Sequence, residues 1–240
     1  MDHQLFFGKS SSKRAREAYV STQQNSKEDI VIEFGLGKNT SRLLFFDPKH
    51  IGFKVARHKY VAKMFEGFDK VLEIGCQEGF GSHFVSQTVG QLISIDFYKS
   101  NVDSCKRRLE DKISNIRFEG HDMIDGPIDE NFDGAFALDV LEHIDPKHEE
   151  QFISNIVKSL SLHGTFICGT PSLESQKYAS ERSKKGHINC KSGEQLRELC
   201  KRFFHNVFMF GMNDEVLHTG FLPMAHYLIA LCTGAKKDFK

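Results

Sequence analysis

The stretch Lys70-Val71-Leu72-Glu73-Ile74-Gly75-Cys76-Gln77-Glu78-Gly79-Phe80-Gly81-Ser82 decides the fold. A short apolar run closes on an acid, and a glycine-punctuated turn opens into an amphipathic segment. A buried parallel strand passes in this way into a helix whose N-terminus faces a ligand. Gly75 and Gly79 allow the backbone an approach that a Cβ would block. Glu73 stands where an amine or hydroxyl of that ligand can donate to it.

Outward from that stretch the pattern alternates. Strands are expected at Val71 to Ile74, Leu92 to Asp96, Ile116 to Phe118, Phe132 to Leu138 and Thr165 to Gly169. Helices are expected at His50 to Phe65, Gly79 to Gln87, Asn101 to Leu109, Glu149 to Leu160 and Gly193 to Phe203. Such alternation argues an α/β, doubly wound, mostly parallel sheet of Rossmann-like type. Two last strands, near Asn206 to Phe210 and His226 to Leu231, have a connector shorter than a usual crossover, so antiparallel pairing is expected. The total is seven strands. Residues 1–49 read as a polar N-terminal arm with an accessory strand, Ile30 to Phe34. Residues 50–240 read as the main domain, with an insertion above the sheet at about 170–190 that carries Pro171 and Gly186.

Lys+Arg and Asp+Glu both number 32, which disfavours general binding of nucleic acid because phosphate contacts need clustered cations. The six scattered cysteines form no Cys-x-x-Cys pair and read as reduced thiols of a cytoplasmic protein. The opening Met1-Asp2-His3-Gln4 lacks a signal-peptide pattern, and Phe221 to Cys232 is too short an apolar stretch to span a bilayer. A soluble chain is expected.

The run Val71 to Gly79 resembles the cofactor motif of class I S-adenosylmethionine-dependent methyltransferases. The later landmarks fall in that family's order: Ile95-Asp96, His121-Asp122-Met123, and Leu138-Asp139-Val140-Leu141-Glu142-His143-Ile144. The resemblance implies S-adenosyl-L-methionine as cofactor. Asp96, with Phe97 after it, would take the ribose, since a carboxylate one βα unit past the glycine turn reaches both hydroxyls. Asp122 would accept from the adenine amino group and Met123 would pack on the ring. Glu73, Gly75 and Leu138 would hold the methionine part, Gly79 would open the following helix, and Arg57 would meet the carboxylate. The family's usual middle glycine is Gln77 here. A nicotinamide-binding fold is the nearest rival, but Gln77 breaks the Gly-x-Gly-x-x-Gly spacing it needs.

If the turn after Leu138 is helical, Asp139, Glu142 and His143 share one face. With His187 from Lys184-Lys185-Gly186-His187-Ile188-Asn189 they make a mixed oxygen and nitrogen set suited to a divalent ion. The pattern is similar to that of ubiquinone-biosynthesis O-methyltransferases and of plant small-RNA 2′-O-methyltransferases. Here the first ligand is Asp139, one methylene shorter than the usual Glu. The alternative gives His143 the role of pocket base, or leaves the acid as a helix cap. A hydroxyl acceptor needs its proton removed, so the His143 and His187 pair favours oxygen. The acceptor read from these residues is a hydroxyl of a small molecule or saccharide. RNA, a nucleotide sugar or a quinol is the alternative acceptor, and a non-catalytic cofactor-binding partner subunit is a third reading.

Overall fold

A computed structural model describes residues 35–236 and 239. The arm and the accessory strand at Ile30 to Phe34 lie outside them. Eight strands form one mixed sheet in the order β3-β2-β1-β4-β5-β8-β6-β7. Strands β1 (Lys70–Ile74), β2 (Gln91–Asp96), β3 (Ile116–Gly120), β4 (Phe132–Leu138) and β5 (Leu160–Pro171) run parallel. Strand β8 (Tyr227–Ala235) enters antiparallel between β5 and β6 (Phe204–Asn213). The expected antiparallel pairing of the last strands is therefore present. The eighth strand is the addition: β7 (Val216–His218), a three-residue edge strand hairpinned onto β6, occupies part of the connector between the two strands expected there.

Central strands of a parallel sheet are covered on both faces, so their sequences are apolar without alternation. Val71 and Leu72 on β1, and Leu92, Ile93 and Ile95 on β2, have no exposed surface at all. Each such side chain contributes about 1.5–3 kcal/mol by leaving water. The helices α1 (Lys38–Phe46), α2 (Pro48–Met64), α3 (Phe80–Ser86), α4 (Lys99–Leu109), α5 (Glu149–Ser159), α6 (Glu181–Gly186) and α7 (Gly193–Phe203) complete the described chain. Helix α7 is well specified locally: Ser192 and Gln195 form a reciprocal capping box, and Leu196, Leu199, Cys200 and Phe203 make its buried face.

Helix α1 was not anticipated from its sequence. Phe45 and Phe46 are 80% and 73% exposed, so no apolar stripe marks it. Its N-terminus is held instead by the glycine turn of the opening stretch. Glu78 Oε1 accepts from Asn39 N at 2.9 Å, and Oε2 accepts from Thr40 N at 2.8 Å and from Thr40 Oγ1. A distant carboxylate thus satisfies the orphan donors of a helix start.

Between β5 and α7 the insertion folds into a 3₁₀ turn at Glu174–Tyr178 and the short helix α6. All six cysteines are free thiols. Among the described residues no helix is long and apolar enough to cross a membrane.

Candidate active site

The carboxyl ends of β1, β2 and β4 open into a cavity of about 710 Å³, lined among others by Glu73, Gly75, Asp96, Phe97, Asp122 and Leu138. The turn after β1 is shaped by three residues in the left-handed region: Gly75 (φ +80°), Gln77 (φ +52°) and Gly79 (φ +70°). A Cβ on Gly75 would sit 2.5 Å from Val140 Cγ2, and one on Gly79 would sit 2.7 Å from Leu109 Cδ1. The first glycine keeps the turn open toward β4; the second lets α3 start against the packed layer behind the turn. Gln77 takes a conformation that costs an L-residue about 1–2 kcal/mol. Its backbone N–H donates to Asp96 Oδ2 at 2.9 Å and its side chain accepts from Lys54 Nζ at 3.0 Å.

Asp96, 6% exposed, also accepts from Tyr98 N and from Asn101 Nδ2. Three hydrogen bonds fix the carboxylate at the strand end and leave acceptor capacity toward the cavity. Phe97, 77% exposed, stands beside it as an open apolar face. Asp122 accepts from Ile124 N at 2.9 Å, and this tight turn sends alternate side chains to opposite sides. Ile124 faces the cavity, whereas Met123 is 2% exposed and packs in the core. Met123, expected to pack on the adenine ring, does not line the cavity; Ile124 does.

Beneath the turn lies a buried polar pair. Glu73 accepts from Ser94 Oγ at 2.6 Å, and His58 Nε2 stands 3.9 Å from Glu73 Oε1. Burial raises the Glu73 pKa to about 7 and lowers that of His58 to about 4. Near pH 6 both groups are uncharged, so their proximity is not an ion pair. Nδ1 of His58 donates to the Lys54 carbonyl at 2.7 Å, and Gly81 makes room for the ring.

Arg57 is placed elsewhere than the sequence expects. Its Nη1 reaches both oxygens of Asp139 at 3.0 Å, and its guanidinium lies over the Tyr227 ring with Cζ 3.7 Å from the centroid. Burial works against the Arg57 charge, but Asp139 outweighs it, and the same partner holds the Asp139 carboxyl below its ordinary range despite burial. Arg57 does not line the cavity; Asp139 does.

Residues 71–164 match the family model described as a methyltransferase domain. Those residues thus carry the match to a methyltransferase domain, and the mixed sheet has the class I methyltransferase fold. Solved structures repeat the same fold. N-methyltransferase NodS from Bradyrhizobium japonicum WM9, in complex with S-adenosyl-L-homocysteine, is 17% identical over 80% of this chain and 90% of its own, with a TM-score of 0.60. The methyltransferase domain of bacterial CtHen1-C is 16% identical over 75% and 98%, with a TM-score of 0.63. The CurJ carbon methyltransferase is 13% identical over 82% and 58%, with a TM-score of 0.60. No curated protein matches the sequence.

Glu142, His143 and His187 converge, one ligand atom from each lying within 4.8 Å of the others, and His143 also lines the cavity. Asp139 is outside this group. The turn after β4 is not continuously helical, because Asp139 has φ +58° and the 3₁₀ turn begins at Leu141. The helical-face argument therefore fails for Asp139, whose oxygens belong to Arg57. The insertion is tied to the same turn: Ile188 N and Asn189 N donate to the Glu142 carbonyl at 2.8 and 3.0 Å.

Both imidazoles are oriented. His143 Nδ1 lies 2.8 Å from the Gly186 carbonyl, and His187 Nδ1 lies 2.9 Å from Gln176 Oε1. Each oxygen can only accept, so each Nδ1 carries the proton and each Nε2 has a free lone pair. Glu142, 1% exposed, accepts from Thr170 Oγ1; burial and then the charge of Asp139 raise its pKa to about 8. A cation beside it would reverse that shift. Sequence reading missed Lys54, His58 and Ile124. The first two are four residues apart on α2, and the helical spacing that puts them on one face was the available signal.

Proposed function

We propose that this methyltransferase transfers the methyl group of S-adenosylmethionine to a hydroxyl of a small molecule or saccharide, beside Glu142, His143 and His187. The observation that carries the reading is the convergence of those three side chains, with no hydrogen-bond partner on either Nε2 among the described residues. Neighbours of the same fold include an N-methyltransferase and a carbon methyltransferase, so the acceptor has to be argued from side chains rather than from the sheet.

When bound, the cofactor supplies an electrophilic methyl on a sulfonium. The acceptor oxygen would take that methyl group as its bond to sulfur breaks, with a neutral thioether as the leaving group. The hydroxyl proton has to leave. Nε2 of His143 takes it, with the Gly186 carbonyl holding the ring tautomer and sharing the imidazolium charge. An amine already in its neutral form would need no such base before transfer, whereas a hydroxyl does, so the arrangement favours oxygen.

The donor set also fits a divalent ion: one carboxylate and two imidazoles of fixed tautomer, with coordination positions left for other groups. An ion held by Glu142, His143 and His187 would lower the pKa of a bound hydroxyl. Incubation with methyl-labelled S-adenosylmethionine and a library of hydroxyl and amine compounds tests the acceptor class. The expected products carry labelled O-methyl groups, and His143→Ala abolishes them. Exclusive N-methyl or C-methyl products would refute the oxygen reading. Titration of Mn²⁺ tests the ion separately, with at least tenfold weaker binding expected for His143→Ala and for His187→Ala.

A further inference from the structure

We propose that the corner between α1 and α2 docks on a membrane of anionic lipid. The surface lies apart from the side chains that the methyl-transfer reading uses, and the inference does not depend on which acceptor is methylated.

Three successive large apolar side chains stand on the last turn of α1. Leu44, Phe45 and Phe46 are 45%, 80% and 73% exposed, and the two rings meet edge to face with centroids 4.9 Å apart. Single exposed apolar residues are ordinary, whereas a contiguous group marks an interaction surface. Thr40 is the only buried residue of α1, so the triad is not the edge of a core-facing stripe. The helix stops at Asp47 and α2 begins at Pro48, which leaves the triad at a corner of the chain.

Charge identifies the partner. The whole sequence is formally neutral, yet residues 38–64 carry seven lysines and arginines against one acid, Asp47. That acid is taken up by His50, whose Nδ1 lies 2.6 Å from Asp47 Oδ2. Arg42 and Lys49 flank the triad in sequence, and Lys38 stands one turn before Arg42; all three are exposed, with no acidic partner among the described residues. The Arg42 guanidinium lies over the Phe46 ring with Cζ 5.8 Å from the centroid. A charged head beside an apolar body is how such side chains sit at a lipid–water boundary.

The surface therefore fits a negative face with apolar material directly behind it. An anionic bilayer has both, lipid phosphates for the cations and acyl chains for Leu44, Phe45 and Phe46. A second copy of this chain in a twofold contact would set the same cations against one another. Single-stranded nucleic acid brings phosphates, but its successive bases stack in parallel, and rings inclined at 80° make no platform for two of them.

Flotation of the full chain with vesicles tests this, using phosphatidylcholine alone and phosphatidylcholine mixed with phosphatidylglycerol. Binding is expected to the mixed vesicles only, and it should weaken as salt rises. Phe45→Ser combined with Phe46→Ser should weaken it about tenfold or more, and Arg42→Gln combined with Lys49→Gln about 10- to 30-fold. Both variants should unfold within a few degrees of wild type, because the substituted side chains are exposed. Failure of the wild-type protein to bind the mixed vesicles overturns the proposal, as does vesicle binding that survives the double phenylalanine substitution. Self-association, or capture of an oligouridine, that is lost with that substitution in place of vesicle binding would refute the membrane and assign the surface to a second copy or to RNA.

Discussion

Replacing Glu73 by an amide should change how stability responds to pH, by an amount the structure sets. Glu73 is 3% exposed, and burial raises its pKa from 4.5 to about 7. In the unfolded chain the carboxyl ionises near its ordinary value. Between pH 4.5 and about 7 the folded protein therefore holds a proton that the unfolded chain has released, and stability falls as pH rises through that window. The full cost above pH 7 is on the order of 3 kcal/mol. His58, 8% exposed, works in the opposite sense. Its pKa drops from 6.5 to about 4, so the unfolded chain binds the extra proton, and stability falls as pH drops from 6.5 to about 4. Its full cost is again on the order of 3 kcal/mol.

Over the shared range the two contributions nearly cancel in the wild-type protein, and single substitutions unmask them. The stability of Glu73→Gln relative to wild type should increase by about 3 kcal/mol between about pH 4.5 and 7.5. The amide oxygen of the introduced glutamine would still accept from Ser94, so any packing cost is a constant offset. His58→Asn should show the mirror image, gaining relative to wild type as pH falls from about 7 to 4. Urea unfolding at half-unit pH steps measures both differences, and groups elsewhere in the chain cancel in the subtraction. A Glu73→Gln difference that stays constant across the range would refute the assignment of a buried, neutral carboxyl beneath the cofactor turn.

Three further outcomes follow from the same geometry. Asp139→Asn keeps a residue that tolerates the left-handed region but leaves Arg57 unpaired, and should cost about 3 kcal/mol in urea unfolding; a loss under about 0.5 kcal/mol counts against the ion pair. Gly75→Ala should destabilise by more than about 1 kcal/mol through its φ of +80° and through Val140 Cγ2, and adding Val140→Ala should recover only the steric part. Glu78→Ala removes the acceptor at the start of α1, worth about 1 kcal/mol, so amide exchange across residues 38–46 should speed up about fivefold while β1 and β2 stay protected.

The parts of this molecule that were legible in its sequence are those fixed by one strand end. Asp96 and Asp122 could be placed at the cavity because the last residue of a parallel strand, or the second after it, has few places to point. The β1 and β2 runs could be read because burial on both faces leaves an unbroken apolar signature. What escaped depends on partners far along the chain or on a single dihedral. Helix α1 shows no apolar stripe, since Glu78, 38 residues beyond Thr40, supplies its cap. Ile124 rather than Met123 lines the cavity because Asp122 closes a turn onto Ile124 N, which no periodicity encodes.

The Asp139 turn shows why the acceptor side was harder to read than the cofactor side. Spacing alone placed Asp139, Glu142 and His143 on one helical face, and that inference required an unbroken run of right-handed residues. One positive φ, at Asp139, breaks the series and turns its carboxylate to Arg57, while Glu142 and His143 stay with the insertion. The consequence reaches back across the cavity. With Arg57 neutralised, the one lysine or arginine among the described lining residues is the lysine one turn earlier. A single backbone dihedral after β4 thus decides where the Arg57 guanidinium is held.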